Sequence, residues 1–309
     1  LHLSLRRQRQ MCIRDRDMNL TNLQAQRANF QLFPFHMVTP SPWPLFISFS
    51  LLILTMGSVV YFHGYASPFG DSGFSLLLLG LISTCLCMAL WLRDVVTEGT
   101  FLGDHTIAVQ KGLSLGMVFF ILSEVFFFIS IFWALFNSSL SPDVTLGGQW
   151  PPVGIQSINP FELPLLNTVL LLTSGATVTY SHHAVINKNR AGAISGLILT
   201  VVLAVVFTVC QGIEYYNAPF SIADGVYGST FFLSTGFHGL HVIVGTIMLA
   251  VSLGRMIQYH FTNTHHVGYE SSILYWHFVD VVWLFLFVSV YWYCLLYTSD
   301  AADEGLGVD

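Results

Sequence analysis

The stretch Ser114–Phe136, SLGMVFFILSEVFFFISIFWALF, holds a single charged residue, Glu124, in an otherwise apolar run. At a rise of about 1.5 Å per residue, such a run coiled as one α-helix crosses a hydrocarbon core of about 30 Å. Six further runs of similar length sit at 43–63, 74–92, 163–183, 191–214, 229–254 and 273–295. A spanning β-barrel would need short segments of alternating polarity, whereas these runs are long and continuous. The expected fold is therefore all-α, a polytopic membrane protein with seven transmembrane helices.

The basic residues sort with these runs. Arg6, Arg7, Arg9, Arg14, Arg16 and Arg27 precede the first, Arg93 and Lys111 lie between the second and third, Lys188 and Arg190 between the fourth and fifth, and Arg255 closes the sixth. The alternate gaps 64–73, 137–162 and 215–228 hold no lysine or arginine. Cationic residues concentrate on the cytoplasmic face of membrane proteins, so this pattern predicts seven crossings with the N-terminus inside. Composition agrees, at 54% hydrophobic and 9% charged, where an ordinary soluble domain carries about a quarter charged residues. A net charge of −6 without a basic patch argues against nucleic acid as a partner. The five cysteines (Cys12, Cys85, Cys87, Cys210, Cys294) form no CxxC pair and read as small apolar residues.

Residues 1–17 (LHLSLRRQRQMCIRDRD) and 294–309 (CLLYTSDAADEGLGVD) differ in character from the rest and read as non-native flanking sequence, leaving 18–293 as one membrane domain. Trimming them leaves the charge pattern unchanged. Pro40, Pro42 and Pro44 around Trp43 exclude a mid-helix position and mark the start of the first span. The longest loop, 137–162, is punctuated by Pro142, Gly147, Gly148, Pro151, Pro152 and Pro160.

Ionisable groups at membrane depth call for an explanation, because each mid-span charge costs roughly 2.5–3.5 kcal/mol on a translocon scale. Glu124 has only Phe120, Ile121, Phe127 and Phe128 as neighbours along its own helix. It is either a proton-handling or lipid-contacting carboxyl, or an acid hydrogen-bonded to another helix. His238 and His241 lie on span six, and His277 and Asp280 on span seven, the latter two being spaced to pair with each other. Membrane histidines invite a haem reading. His241 near mid-membrane and His277 one turn from the inner edge are offset by about 12 Å, too far for two axial ligands. A structural polar network is the simpler role, with no metal. His182 and His183 are adjacent and cannot both face one ion, while His265 and His266 fall in a loop. Trp91, Arg93, Glu98, His105, Lys111 and Arg255 gather at the inner interface, where they suit an anionic lipid phosphate or ordinary snorkelling.

Several motifs are more specific. His36-Met37-Val38-Thr39-Pro40-Ser41-Pro42-Trp43-Pro44, Trp91-Leu92-Arg93-Asp94-Val95, Val109-Gln110-Lys111-Gly112-Leu113 and Ser123-Glu124-Val125 appear in order. Gly147-Gly148-Gln149-Trp150-Pro151-Pro152 and Pro164-Leu165-Leu166-Asn167-Thr168 follow. After them come the stretch from Asp224 to Phe232, Gly236-Phe237-His238-Gly239-Leu240-His241-Val242, and the stretch from Tyr275 to Trp283. From about 30 to 293 the chain resembles the subunit III family of cytochrome c oxidases (haem-copper oxidases), most closely its mitochondrial members.

The resemblance implies a two-helix plus five-helix bundle with a lipid-filled cleft, set in the mitochondrial inner membrane with the N-terminus on the matrix side. A bacterial plasma membrane is the alternative. It implies a subunit with no catalytic centre of its own, packed chiefly on subunit I and also on subunit II and accessory subunits. Haem and copper would belong to those partners, and this chain would hold phospholipids and sustain proton uptake. It carries Glu124 over as the family's intramembrane carboxyl, and Trp91, Arg93, Glu98, His105 and Arg255 as lipid-headgroup residues. Thr97 departs from members with a second arginine there, which weakens the expected lipid grip. Three competing functions stand beside this one: subunit III of a quinol-type oxidase, a haem-carrying redox protein, and a secondary transporter, whose usual inverted repeats are not apparent here.

Overall fold

In a computed structural model, residues 34–64 and 73–294 are described. The flanks 1–17 and 295–309, Met18 and Arg27 lie outside them. Seven helices among the described residues are long and apolar enough to span a membrane. They are α1 (Trp43–His63), α2 (Phe74–Thr97), α3 (Ile107–Leu140), α4 (Leu163–Ile186), α5 (Arg190–Asn217), α6 (Gly225–Ile257) and α7 (Val267–Leu286). α2 runs on into a π-helical turn, Glu98–Leu102, and α7 into another, Phe287–Trp292. The described residues contain no strand.

The helices outrun the apolar segments that reveal them. α3 begins at Ile107 and ends at Leu140, where hydropathy marks 114–136, and α6 extends beyond 229–254 at both ends. Helical hydrogen bonds continue into the interface, where polar residues such as Lys111, Asp94 and Arg255 are tolerated and hydropathy no longer reports the coil. α7 starts at Val267, six residues ahead of its apolar run, because Tyr269 and Glu270 belong to its first turns. α1 starts at Trp43 with Pro42 at its N-cap and proline in its first turn, where the missing amide hydrogen costs nothing. It closes at Gly64 in the left-handed conformation (φ 66°).

The chain divides into two compact units, one reaching to Gly112 and one from Leu113 onward. In the first, α1 packs along α2. Two glycines set the approach. A Cβ on Gly57 would stand 2.6 Å from the Leu77 amide nitrogen, and one on Gly80 would stand 2.5 Å from that of Leu54. Small residues let helix backbones approach closely, so dispersion holds the pair where lipid supplies no hydrophobic drive.

In the second unit α7 is the most buried span. Trp276 and Trp283 are fully enclosed. Tyr269, Trp276 and Trp283 recur every seven residues, on one face of the helix. Each donates to a hydroxyl on antiparallel α4: Tyr269 OH to Ser181 Oγ (2.7 Å), Trp276 Nε1 to Ser174 Oγ (2.9 Å) and Trp283 Nε1 to Thr168 Oγ1 (2.9 Å). A buried indole or phenol needs a partner for its polar edge, and here a serine or threonine on α4 supplies it each time. α4 and α5 are joined by a tight turn in which Asn189 Oδ1 accepts from Gly192 N (3.2 Å), an N-cap. Cys294, placed by sequence at the start of the foreign tail, is buried with this core.

A Gly80→Val substitution is expected to push α1 off α2. The cost should be about 1–3 kcal/mol, the usual range for overpacking, read as a lower unfolding midpoint in detergent.

Candidate functional site: an intramembrane carboxyl–imidazole pair and interfacial clusters

Glu124, at mid-span in α3, meets His241 of α6. Its Oε2 lies 2.8 Å from His241 Nε2, and both side chains are largely shielded, at 22% and 11% exposed. The pair joins residues 117 apart in sequence. The tautomer follows from the other ring nitrogen. His241 Nδ1 lies 2.6 Å from the Phe237 carbonyl, which can only accept, so Nδ1 carries a hydrogen. One further proton therefore sits between Nε2 and the carboxyl, and the pair is net neutral whichever partner holds it. That removes the burial cost of a lone carboxylate. Phe127, Phe128 and Tyr275 ring the imidazole, with centroids at 6.3, 5.1 and 6.3 Å. Of the two roles open to Glu124 from sequence, the geometry supplies the hydrogen bond to another helix.

The other predicted polar residues of this unit are dispersed. His238 donates from Nε2 to the Val279 carbonyl (3.1 Å) and packs against Trp283 and Phe207. His277 does not pair with Asp280 by any ion pair or hydrogen bond among the described residues. Thr179 gives its hydroxyl hydrogen to the Gly175 carbonyl (2.8 Å), so its oxygen accepts from His277 Nε2 (3.3 Å). The imidazole is thereby turned toward α4. Asp280 projects into the space left by Gly175, where a Cβ would stand 3.0 Å from its Oδ2, and its Oδ1 has no hydrogen-bond partner.

Two polar groups escaped the sequence reading. Glu214, 3% exposed at the end of α5, accepts from Tyr291 OH (2.5 Å) and Gln211 Nε2 (3.3 Å), and Asn167 Nδ2 extends the chain to Gln211 Oε1 (3.4 Å). A glutamate at the edge of an apolar run looks interfacial in one dimension, and that hid it. The second is a grouping: His182 and His266, which the sequence placed apart at the inner edge and in a loop, meet with Glu270 across from α4 to the start of α7.

The residues that the resemblance assigns to lipid headgroups split between the units. In the first, Arg93 makes a fork with Asp94 Oδ1 (Nε 3.1 Å, Nη2 2.8 Å), and Asp94 Oδ2 accepts from the indole of Trp43 on α1. The Arg93 side chain remains 62% exposed. Thr97 returns its hydroxyl to the Arg93 carbonyl (2.9 Å). Trp91 lies at the exposed surface of α2. The π-helical turn after α2 carries Glu98 toward His36 (3.9 Å), whose other nitrogen lies 3.9 Å from Asp104. Gly99 leaves room for the His105 ring, which a Cβ would meet at 2.7 Å. In the second unit Arg255 stacks over Phe261 at 4.4 Å. Burial, with the Arg255 charge adding to it, holds His260 below the usual imidazole range. In the long loop, Asp143 accepts from Thr145 N (2.8 Å), which lowers its pKa below the usual carboxylate range.

The family model for cytochrome c oxidase subunit III matches residues 33–295. The chain belongs to the cytochrome c oxidase subunit III family. The subunit 3 protein of Mycosarcoma maydis is 68% identical over 272 residues, covering 88% of this chain and 99% of the relative. That of Rhizopus stolonifer is 63% identical over 263 residues (85% and 92%), and that of Emericella nidulans 60% over 268 (86% and 97%). All three run nearly the whole length of a subunit III, and all are fungal. The seven spans and the Glu124–His241 pair of this chain thus sit on a subunit III scaffold.

Glu124→Gln keeps a donor for His241 Nε2 and is expected to unfold close to wild type. Glu124→Ala leaves that nitrogen unpaired and should cost about 1–3 kcal/mol. Parallel thermal unfolding of both variants in detergent tests this.

Proposed function

We propose that the chain is the subunit III of a mitochondrial cytochrome c oxidase. It would support electron transfer from cytochrome c to oxygen and the coupled proton pumping without carrying a redox centre. The observation that carries this is the similarity at 68% identity to a subunit 3 over 99% of that relative's length. Its chemistry fits. Nε2 of His238, His241 and His277 is already taken by Val279, Glu124 and Thr179 respectively, so these imidazoles serve the helix packing.

On this reading the chain packs chiefly against subunit I, with subunit II and accessory subunits nearby, and sustains proton uptake by keeping subunit I in shape. The basic residues face the matrix, the side where positive charge is retained during insertion. Arg93 and Arg255 bind phospholipid headgroups. The exposed guanidinium of Arg93, anchored by Asp94, which also accepts from the Trp43 indole, offers donors to a phosphate oxygen. Residues 1–17 and the end of the chain beyond the match at 295 would lie outside this domain.

Gentle solubilisation through a tag on this chain is expected to bring down a haem-copper subunit. The oxidase haem bands should then track that partner and vanish when the chain is stripped from it. A stoichiometric haem band on the isolated chain would sink the reading. Arg93→Ala is expected to lower the phospholipid retained per complex, counted by mass spectrometry, and to shorten activity under sustained turnover.

A further inference from the structure

His182 near the end of α4, His266 at the N-cap of α7 and Glu270 one turn into α7 bring three ligand atoms together within 4.8 Å of one another. His182 Nε2 lies 3.3 Å from His266 Nε2, and His266 Nε2 lies 3.2 Å from Glu270 Oε1. We propose that this His–His–Glu cluster is a binding site for a zinc-class divalent cation. The site lies at the surface end of the α4–α7 pair and is separate from the Glu124–His241 pair.

Three observations carry it. The first is the chemistry of the nitrogens. His266 Nδ1 lies 2.8 Å from the Thr262 carbonyl, an acceptor only, so Nδ1 holds a hydrogen and neutral His266 presents a bare lone pair at Nε2. A carbonyl behind one ring nitrogen is the arrangement that orients a metal-binding imidazole. That lone pair faces both a second imidazole nitrogen and a carboxylate. A hydrogen on His182 Nε2 satisfies the imidazole contact and one on His266 Nε2 the carboxylate contact, whereas a cation takes a lone pair from all three ligand atoms at once.

The second is distance. Ligands at about 2.0–2.2 Å from a tetrahedral zinc stand about 3.3–3.6 Å apart, close to the two separations found here. Two imidazoles and one carboxylate favour zinc and its first-row neighbours over magnesium or calcium, which take oxygen sets.

The third is rigidity with access. Tyr269 donates to Ser181 (2.7 Å) one residue from both His182 and Glu270, and its ring packs edge-on against His182 with centroids 6.0 Å apart. Two helices are thus pinned beside the cluster. His266 is 6% exposed, while the Glu270 side chain is 49% exposed and opens the site. A cavity of about 340 Å³ lined by Ser114, Met117, Val118, His182, Glu270 and His277 adjoins it, with room for a solvent ligand in a fourth position. Adjacent His183 is not needed. The histidines 84 residues apart in sequence supply what neighbouring ones could not.

The test is zinc alone, added to the complex in which the full chain purifies, with bound metal counted by mass spectrometry across a range of free zinc. Wild type is expected to hold one more tightly bound zinc than Glu270→Gln or His182→Gln complexes of equal subunit content, with affinity at that site reduced at least tenfold in either variant. X-ray absorption of that extra zinc should report two imidazole nitrogens and one carboxylate oxygen. Equal zinc number and affinity in wild type and in Glu270→Gln would overturn the proposal. Because the Glu270 side chain is half exposed, that variant tests the site even where His182→Gln fails to assemble.

Discussion

A polar atom inside a bilayer finds its partner within the protein or leaves a cost of several kcal/mol. The second unit is organised by that constraint. Along α7 the polar edges of Tyr269, Trp276 and Trp283 fall every second turn and meet hydroxyls of α4. Each such bond is individually modest in a membrane, averaging about 0.6 kcal/mol in measured cases. Their shared register matters more. A rotation of α7 about its axis, or a slide by one turn, would break all three at once and strand two indoles and a phenol in an apolar core. The aromatic bulk supplies the contact area, and the donors select one packing from many.

The same logic explains the titratable groups. Glu124 is tolerated at mid-span because His241 lies 2.8 Å away and one shared proton keeps the pair neutral. Glu214 is tolerated because Tyr291 and Gln211 turn their donors onto it. Glycine provides the room. Gly175 gives Asp280 its space on α4, and Gly245 lets the ring of Trp276 approach α6, where a Cβ would stand 2.9 Å from it. Small residues and polar residues therefore work together, the first bringing backbones close and the second fixing register.

The first unit solves a different problem. α1 and α2 bury little beyond their contact with each other, and most of their large side chains stay exposed. Their ion-paired groups among the described residues lie at the helix ends, in the Trp43–Asp94–Arg93 chain and the His36–Glu98–Asp104 group. Such an arrangement suits an interface where an arginine can hold its own carboxylate and still present donors outward. It also gives Thr97 a place: its hydroxyl turns back to the helix and contributes no second cation.

The number of spans, their approximate limits and the one-sided distribution of basic residues were legible in the sequence. Each is a local property, since hydropathy and charge are carried by a segment whatever it packs against. Glu124 and His241 could each be singled out, and the family motifs around them could be read in order. That the two residues meet could not be read, nor that His277 turns from Asp280 to Thr179, nor that His182 faces His266 across the membrane surface. Those facts depend on the rotation and depth of one helix relative to another far away in the chain. Side-chain packing fixes both quantities, and only the tertiary structure supplies that packing.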